Sequence, residues 1–352
     1  MGQFRWKKLA AATALAGAAL ISWQVLAARP LTVVSWGGGY QDAQKAAYFE
    51  PFKAASGTDM IDESWDGGIG VLRSKVEGGT DSGWDVVQVE SEELQIGCDE
   101  GLFVPLDWSK IGDKDAFMDA AVSECGVGAI VYDFVLGWDK DKISEAPTGW
   151  ADFFDTAKYP GKRGLRQGPK TTLEIALMGD GVAPAEVYNV LSTPEGVERA
   201  FAKLSTIKND VIWWKSGAQP PQLLASGEVV LTSVYNGRID AANRNDKRNF
   251  GIQWNGGLFT LDSWVILKTS PNIDAAYKFL AFASEAANQA KLPMEIAYGV
   301  TNKAATEMID PARMADLPNH PDNFANTVQI SDKFWIENID RLTERFNVWA
   351  AH

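Results

Sequence analysis

The sequence predicts an α/β fold in two domains, or one large fold with two lobes. Three observations carry this. Strands and helices alternate from residue 31 to residue 89. Two long apolar runs, at 127–138 and 259–267, are suited to carry the chain from one lobe to the other and back. The 352 residues are 46% hydrophobic, enough for a sizeable core.

The elements follow in order. Leu31–Ser35 alternates weakly and reads as a strand. Residues 41–56 read as a helix with Ala43, Ala47 and Phe52 near one face, stopped by Gly57. Residues 60–65 form the next strand, 69–77 a helix ended by Gly78-Gly79, and 84–89 (WDVVQV) a buried strand. This β-α-β-α-β rhythm predicts a parallel sheet covered by helices. Helices are expected at 150–159, 171–179, 195–204 and 219–225, and a strand at 229–235. Amphipathic helices at 273–290 and 332–350 close the chain.

Arg5, Lys7 and Lys8 precede an apolar, alanine-rich run at residues 9–26, and Leu26-Ala27-Ala28 offers small residues for cleavage. Residues 1–28 therefore read as a signal peptide, with an uncleaved anchor as the alternative. Their removal takes three cations and no acid, moving the formal charge from −13 to −16. So acidic a chain is a poor partner for nucleic acid. Export lets Cys98 and Cys125, the only cysteines, form a disulfide; two buried thiols are the alternative. The bridge would close 28 residues and contribute about 3.5 kcal/mol in the chain-entropy model.

Several chemistries lack their residues. There is no Gly-rich phosphate loop, no dinucleotide fingerprint and no nucleophile elbow. The only histidines are His320 and His352, so no His/Cys cluster holds zinc, and no metal or cofactor is expected. Nothing in the carboxylate spacing singles out an acid–base pair, and a binding protein is expected rather than an enzyme. A secreted carboxylate-based enzyme is the remote alternative.

Binding chemistry is present at the strand ends, which in such sheets face a common crevice. Residues 35–40 (SWGGGY) put Trp36 and Tyr40 around three glycines. These glycines would let a ligand approach the backbone. Val89-Glu90-Ser91-Glu92, Tyr235-Asn236-Gly237-Arg238 and Thr260-Leu261-Asp262-Ser263-Trp264 close other strands. Aromatic faces and carboxylates both attract alkylammonium groups, so the lining suits an amine. Trp213-Trp214 reads as packing.

These residues resemble the substrate-binding proteins of bacterial ABC importers, specifically the spermidine/putrescine-binding group. Trp36 and Tyr40 match its first strand end, and residues 52–57 (FKAASG) its F-x-x-x-S-G helix. Asp85 matches its third strand, residues 226–237 a G-E-V segment with an aromatic-Asn-Gly turn, and residues 259–263 (FTLDS) its F-W-x-D-S segment. The resemblance implies a two-lobed type II periplasmic binding protein fold with two crossover strands and a central ligand cleft. Lobe 1 would comprise residues 29–134 and 258–310, lobe 2 residues 135–257, with the helices of 311–352 across the base. It implies a periplasmic monomer that hands a small amine to an inner-membrane permease. Asp262 falls at the amine carboxylate, Trp36, Tyr40 and Tyr235 at aromatic walls, Glu90 and Glu92 at a polar loop, and Tyr298 at a late aromatic position.

Two departures matter. Thr260 stands where the group places a Trp. The segment 167–172 lacks the acids that grip a far amine, although Glu174 is close, and Arg166, Lys170 and Arg238 lie near instead. The expected ligand is a polyamine of the putrescine or spermidine kind. The alternative is an ω-amino acid or opine-like zwitterion, its carboxylate on Arg166 or Arg238.

Overall fold

The computed structural model describes residues 29–351; the signal peptide expected at 1–28 lies outside them. Nine strands form one twisted sheet: β1 (Leu31–Ser35), β2 (Met60–Ser64), β3 (Val86–Glu90), β4 (Gly126–Asp139), β5 (Arg163–Arg166), β6 (Val211–Trp214), β7 (Leu231–Tyr235), β8 (Phe250–Ile266) and β9 (Val328–Gln329). Their order is β2-β1-β3-β8-β4-β7-β5-β6, with β9 on β8.

The parallel arrangement expected for residues 31–89 is present, within a sheet that is mixed as a whole. β2, β1 and β3 are parallel, as are β6, β5 and β7. Between these two sets lie β8 and β4, antiparallel to each other, β8 also to β3 and β4 also to β7. The cause is their length. β4 and β8 each run through both halves of the molecule, one outward and one back. Their pairing slips between Phe134 and Leu136, whose partners are Leu258 and Gln253, so residues 254–257 are looped out of the ladder. That irregularity lies where the two cores part.

One core gathers Tyr40, Phe49, Phe52, Trp264 and Phe279, all nearly inaccessible. The other gathers Phe134, Trp150, Phe153, Trp214 and Phe346. Burial of such rings dominates the stability of each half. Trp213 and Trp214 belong to this second core, Trp214 stacking on Phe134 at 5.6 Å.

Residues 38–56 are helical throughout, with one wider turn at Lys45–Phe49. The helix expected at 273–290 is split: Ile273–Ser284 stops at Glu285, which is extended, and Ala286–Gln289 follows. Cys98 lies in the last turn of the helix Ser91–Asp99 and is bridged to Cys125, just before β4, with Cα atoms 5.7 Å apart. The last helix, Asp332–Ala351, buries Phe334, Trp335, Leu342 and Phe346 in the second core. At its start Asp332 accepts a hydrogen bond from Ser91 of the first half. Among the described residues, no helix is long and apolar enough to cross a membrane.

Candidate functional site

Strands β1, β2 and β3 of the first half end at, or one residue before, side chains that line the cavity. β1 ends at Ser35, and Trp36 follows and stacks on Trp65, which follows β2 (5.1 Å between ring centroids, 18° between planes). Tyr40 stands in the first helical turn and trades hydrogen bonds with Gln88 of β3 at 2.7 and 3.0 Å. Its ring meets Tyr298 edge-on at 5.0 Å. Tyr132, in the middle of β4, meets both Tyr235 and Tyr298. The four tyrosines thus wall one space.

Asp262 lies among them, on β8, in register with Glu90 of β3 and Ile130 of β4. Its carboxylate is buried. One oxygen accepts a long hydrogen bond from Gln88 (3.4 Å); the other has no partner. Burial, then the nearby charge of Glu90, push this carboxyl well above the usual carboxylate range. A buried acceptor without a donor is costly. An ammonium group would supply the donor and the charge together.

The second half supplies cations. The parallel strands β5, β6 and β7 bring Arg166, Lys215 and Tyr235 to the cleft, and Arg238 follows one turn after Tyr235 on the helix Asn236–Asn245. Together with Trp36, Tyr40, Asp262 and Tyr298 they enclose a narrow cavity of about 30 Å³. It widens past Asp66 and Lys215 into an outer chamber of about 630 Å³ that opens to solvent.

Glu90 and Glu92 do not keep their charges free for a ligand. Arg166 pairs with Glu90 at 2.8 Å, Lys170 pairs with Glu90 at 2.7 Å, and Lys170 also contacts Glu92. Burial alone would raise Glu90, but Arg166 and Lys170 outweigh it and hold the carboxyl at about 2. Glu92 faces the outer chamber and shifts upward, through burial and through Glu90, against Lys170. Glu93 caps its own helix by accepting from the Glu90 amide, and from the Gly68 amide besides. Burial and its two acidic neighbours push it up to about 8.

Arg238 donates to the carbonyl oxygens of Gly37 (2.7 Å) and Trp36 (3.0 Å), leaving its Nε without a partner. Two of the three glycines, Gly38 and Gly39, serve the same approach of the two halves, whereas Gly37 lies against Ser64 of the first half. A Cβ on Gly38 would fall 3.0 Å from both Ala218 and Arg238, and one on Gly39 would fall 3.2 Å from Ala241. The space expected to admit a ligand is filled by the second half. Gly37 and Gly38 also have φ of 62° and 57°, where a side chain is strained.

Of the residues the sequence singled out, Trp36, Tyr40, Glu90, Arg166, Tyr235, Arg238, Asp262 and Tyr298 line the cavity. Glu174 does not. It is buried against Tyr188 and Trp335, each donating to it at 2.7 Å, and burial pushes it up to about 6. The sequence reading missed Trp65, Asp66, Tyr132 and Lys215. Tyr132 was hidden inside an apolar run, whereas Lys215 directly follows a strand end and was open to the strand-end rule. Among the described residues no group of His, Cys, Asp and Glu is placed to hold a metal.

Comparison with known proteins agrees with this architecture. A family model described as bacterial extracellular solute-binding protein matches residues 47–322. A γ-aminobutyric acid-binding protein of Pseudomonas aeruginosa is 43% identical over 91% of both chains. The solved structure of a GABA receptor is 36% identical, covering 91% of this chain and 97% of its own, with a TM-score of 0.78. The binding protein MotA from A. tumefaciens B6, solved with glucopine, is 30% identical over 91% and 99%, with a TM-score of 0.85. A putrescine/cadaverine-binding protein of P. aeruginosa is more distant, 25% identical over 87% of both chains. The chain belongs to the bacterial extracellular solute-binding proteins, of type II periplasmic binding protein fold, which serve ABC transporters by binding a small ligand and delivering it to a membrane permease.

Proposed function

We propose that this protein captures a short ω-amino acid of the 4-aminobutanoate (GABA) type in the periplasm, after removal of residues 1–28, and brings it to its permease without altering it. One observation carries the reading: an acid and a group of cations face each other across a single small cavity. Asp262, buried and half unpartnered, lies on the first half. Arg166, Lys215 and Arg238 lie on the second. A zwitterion fits this polarity, amine toward Asp262 and the tyrosines, carboxylate toward the cations. The rings desolvate the alkyl chain and face the ammonium.

This turns the ligand expectation from polyamine to zwitterion. A diamine's far ammonium would meet the cationic wall, and Glu90, the remaining buried acid of the cavity, already pairs with Arg166 and Lys170. The relatives that bind GABA are nearer in sequence than the putrescine/cadaverine binder. A larger, opine-like zwitterion has one observation in its favour: the cavity opens into the outer chamber, which would admit a substituent.

The test is a thermal-shift panel on ligand-stripped protein. Native-state binding raises Tm by mass action. The reading expects a shift with 4-aminobutanoate and none with putrescine or spermidine. A shift with the polyamines alone overturns it, and a shift with opines alone selects the larger ligand.

A further inference from the structure

We infer that Lys215 reads the charge at the far end of the ligand and so sets the choice of zwitterion over diamine. This rests on the reading of the cavity as an ω-amino acid site and adds a residue that neither the strand-end motifs nor the resemblance supplied.

The three cations on the wall differ in what already holds them. Arg166 is paired with Glu90. Arg238 is tied through two nitrogens to the carbonyls of Trp36 and Gly37. Lys215 has neither an ion pair nor a side-chain hydrogen bond among the described residues. Its backbone, by contrast, is pinned: Gln219 accepts from the amides of Lys215 and Ser216 at 2.7 and 3.0 Å. A fixed backbone thus carries a free, exposed ammonium.

Its position suits the role. Lys215 follows β6 on the second half and borders both the inner cavity and the outer chamber. A ligand whose amine sits at Asp262 extends its other end toward the second half. A carboxylate there gains a partner that has given up nothing else, and an ammonium there meets an unpaired like charge. A mouth charge of this kind also steers encounter, so it acts on the association rate. Asp66 borders the same two spaces from the first half, offering a rival role: Lys215 as a latch onto Asp66.

Calorimetry and stopped-flow binding on the full mature protein separate these roles. The probes are 4-aminobutanoate and putrescine, similar in length and different at one end. Lys215→Met is expected to weaken 4-aminobutanoate about fivefold and to flatten the salt dependence of its association rate. Lys215→Glu should weaken it further and improve putrescine, moving the ratio of the two affinities by roughly 50-fold. Asp66→Asn should tighten 4-aminobutanoate by removing a competing acid. The inference is overturned if both Lys215 variants keep wild-type affinities and salt slopes, or if Asp66→Asn weakens binding as much as Lys215→Met, which marks a latch. Wild-type protein that binds putrescine and ignores 4-aminobutanoate overturns the zwitterion reading itself along with this inference.

Discussion

Arg238, on the second half of the molecule, donates from Nη1 to the carbonyl oxygen of Gly37 on the first, 2.7 Å away. This contact crosses the cleft at the point where Gly38 and Gly39 let the two backbones come together. The same guanidinium borders the cavity and lies 5.7 Å from the Tyr40 ring. A ligand carboxylate drawn to Arg238 would therefore favour the arrangement in which the halves are closed, and closure would favour the ligand.

Arg238→Lys keeps the charge and loses the fork that spans two carbonyls. It is expected to weaken ligand binding by about 1.5–3 kcal/mol, the range for a charged hydrogen bond. Small-angle scattering should show the liganded variant more open than liganded wild type. Unchanged affinity with unchanged closure removes Arg238 from the coupling.

Gly39 offers a cleaner test of closure, because its backbone is ordinary helix. Gly39→Val puts methyl groups into Ala241 only when the halves meet. Affinity should fall about tenfold or more, as a closed state made poorer by overpacking of 1–3 kcal/mol requires. The unliganded Tm should stay close to wild type. A fall in unliganded Tm with retained affinity would place the glycine's role in folding instead.

Asp262 should trade stability for binding. Asp262→Asn is expected to cost about 1.5–3 kcal/mol of ligand affinity. It should also leave the empty protein as stable or more stable, since a buried, half-partnered carboxyl is removed. Tm with and without ligand reads both. An unchanged ligand-induced shift would exclude Asp262 from amine recognition.

The pH dependence has a definite sign. Burial and Glu90 raise the Asp262 carboxyl in the empty protein, so its proton is held above the ordinary range. An ammonium beside it lowers that pKa and releases the proton. Affinity therefore rises with pH as the empty-state carboxyl titrates, then levels. The raised folded value also means that Asp262 withdraws stability from the empty protein as pH climbs above its unfolded pKa. Titration in buffers of differing ionisation enthalpy should show proton release on binding; proton uptake would contradict the assignment.

The disulfide is a matter of stability alone. Cys98→Ser should lower Tm, the loop-entropy model giving about 3.5 kcal/mol, and leave ligand affinity intact, because Cys98 and Cys125 pack beneath Val87 and Val265 rather than in the cleft. Lost binding in folded protein would contradict this.

Local patterns made much of this legible. Leu31–Ser35, which alternates only weakly, reads as a strand and is one, buried at every position, and the aromatic and acidic strand ends do converge. What failed was non-local. β8 begins at Phe250, well before its readable run, because Asn255-Gly256-Gly257 breaks the apolar pattern where the strand loops out of its ladder. The helix Ser91–Asp99 reads as an acidic loop because its cap is Glu90, an unusual capping residue, paired with Glu93. No one-dimensional pattern says that Glu90 meets Lys170, 80 positions away, and so has its charge already paired. Glu174 was misplaced for the same reason, its partners Tyr188 and Trp335 coming from later helices.

The central claim is that one cavity holds an amine at Asp262 and a carboxylate at the opposite cationic wall. Paired calorimetric titrations of ligand-stripped protein with 4-aminobutanoate and putrescine test it most directly. Binding of the first with at least about 100-fold preference over the second, some 2.7 kcal/mol, is the predicted result. Equal binding of the two, or a preference for putrescine, would contradict it.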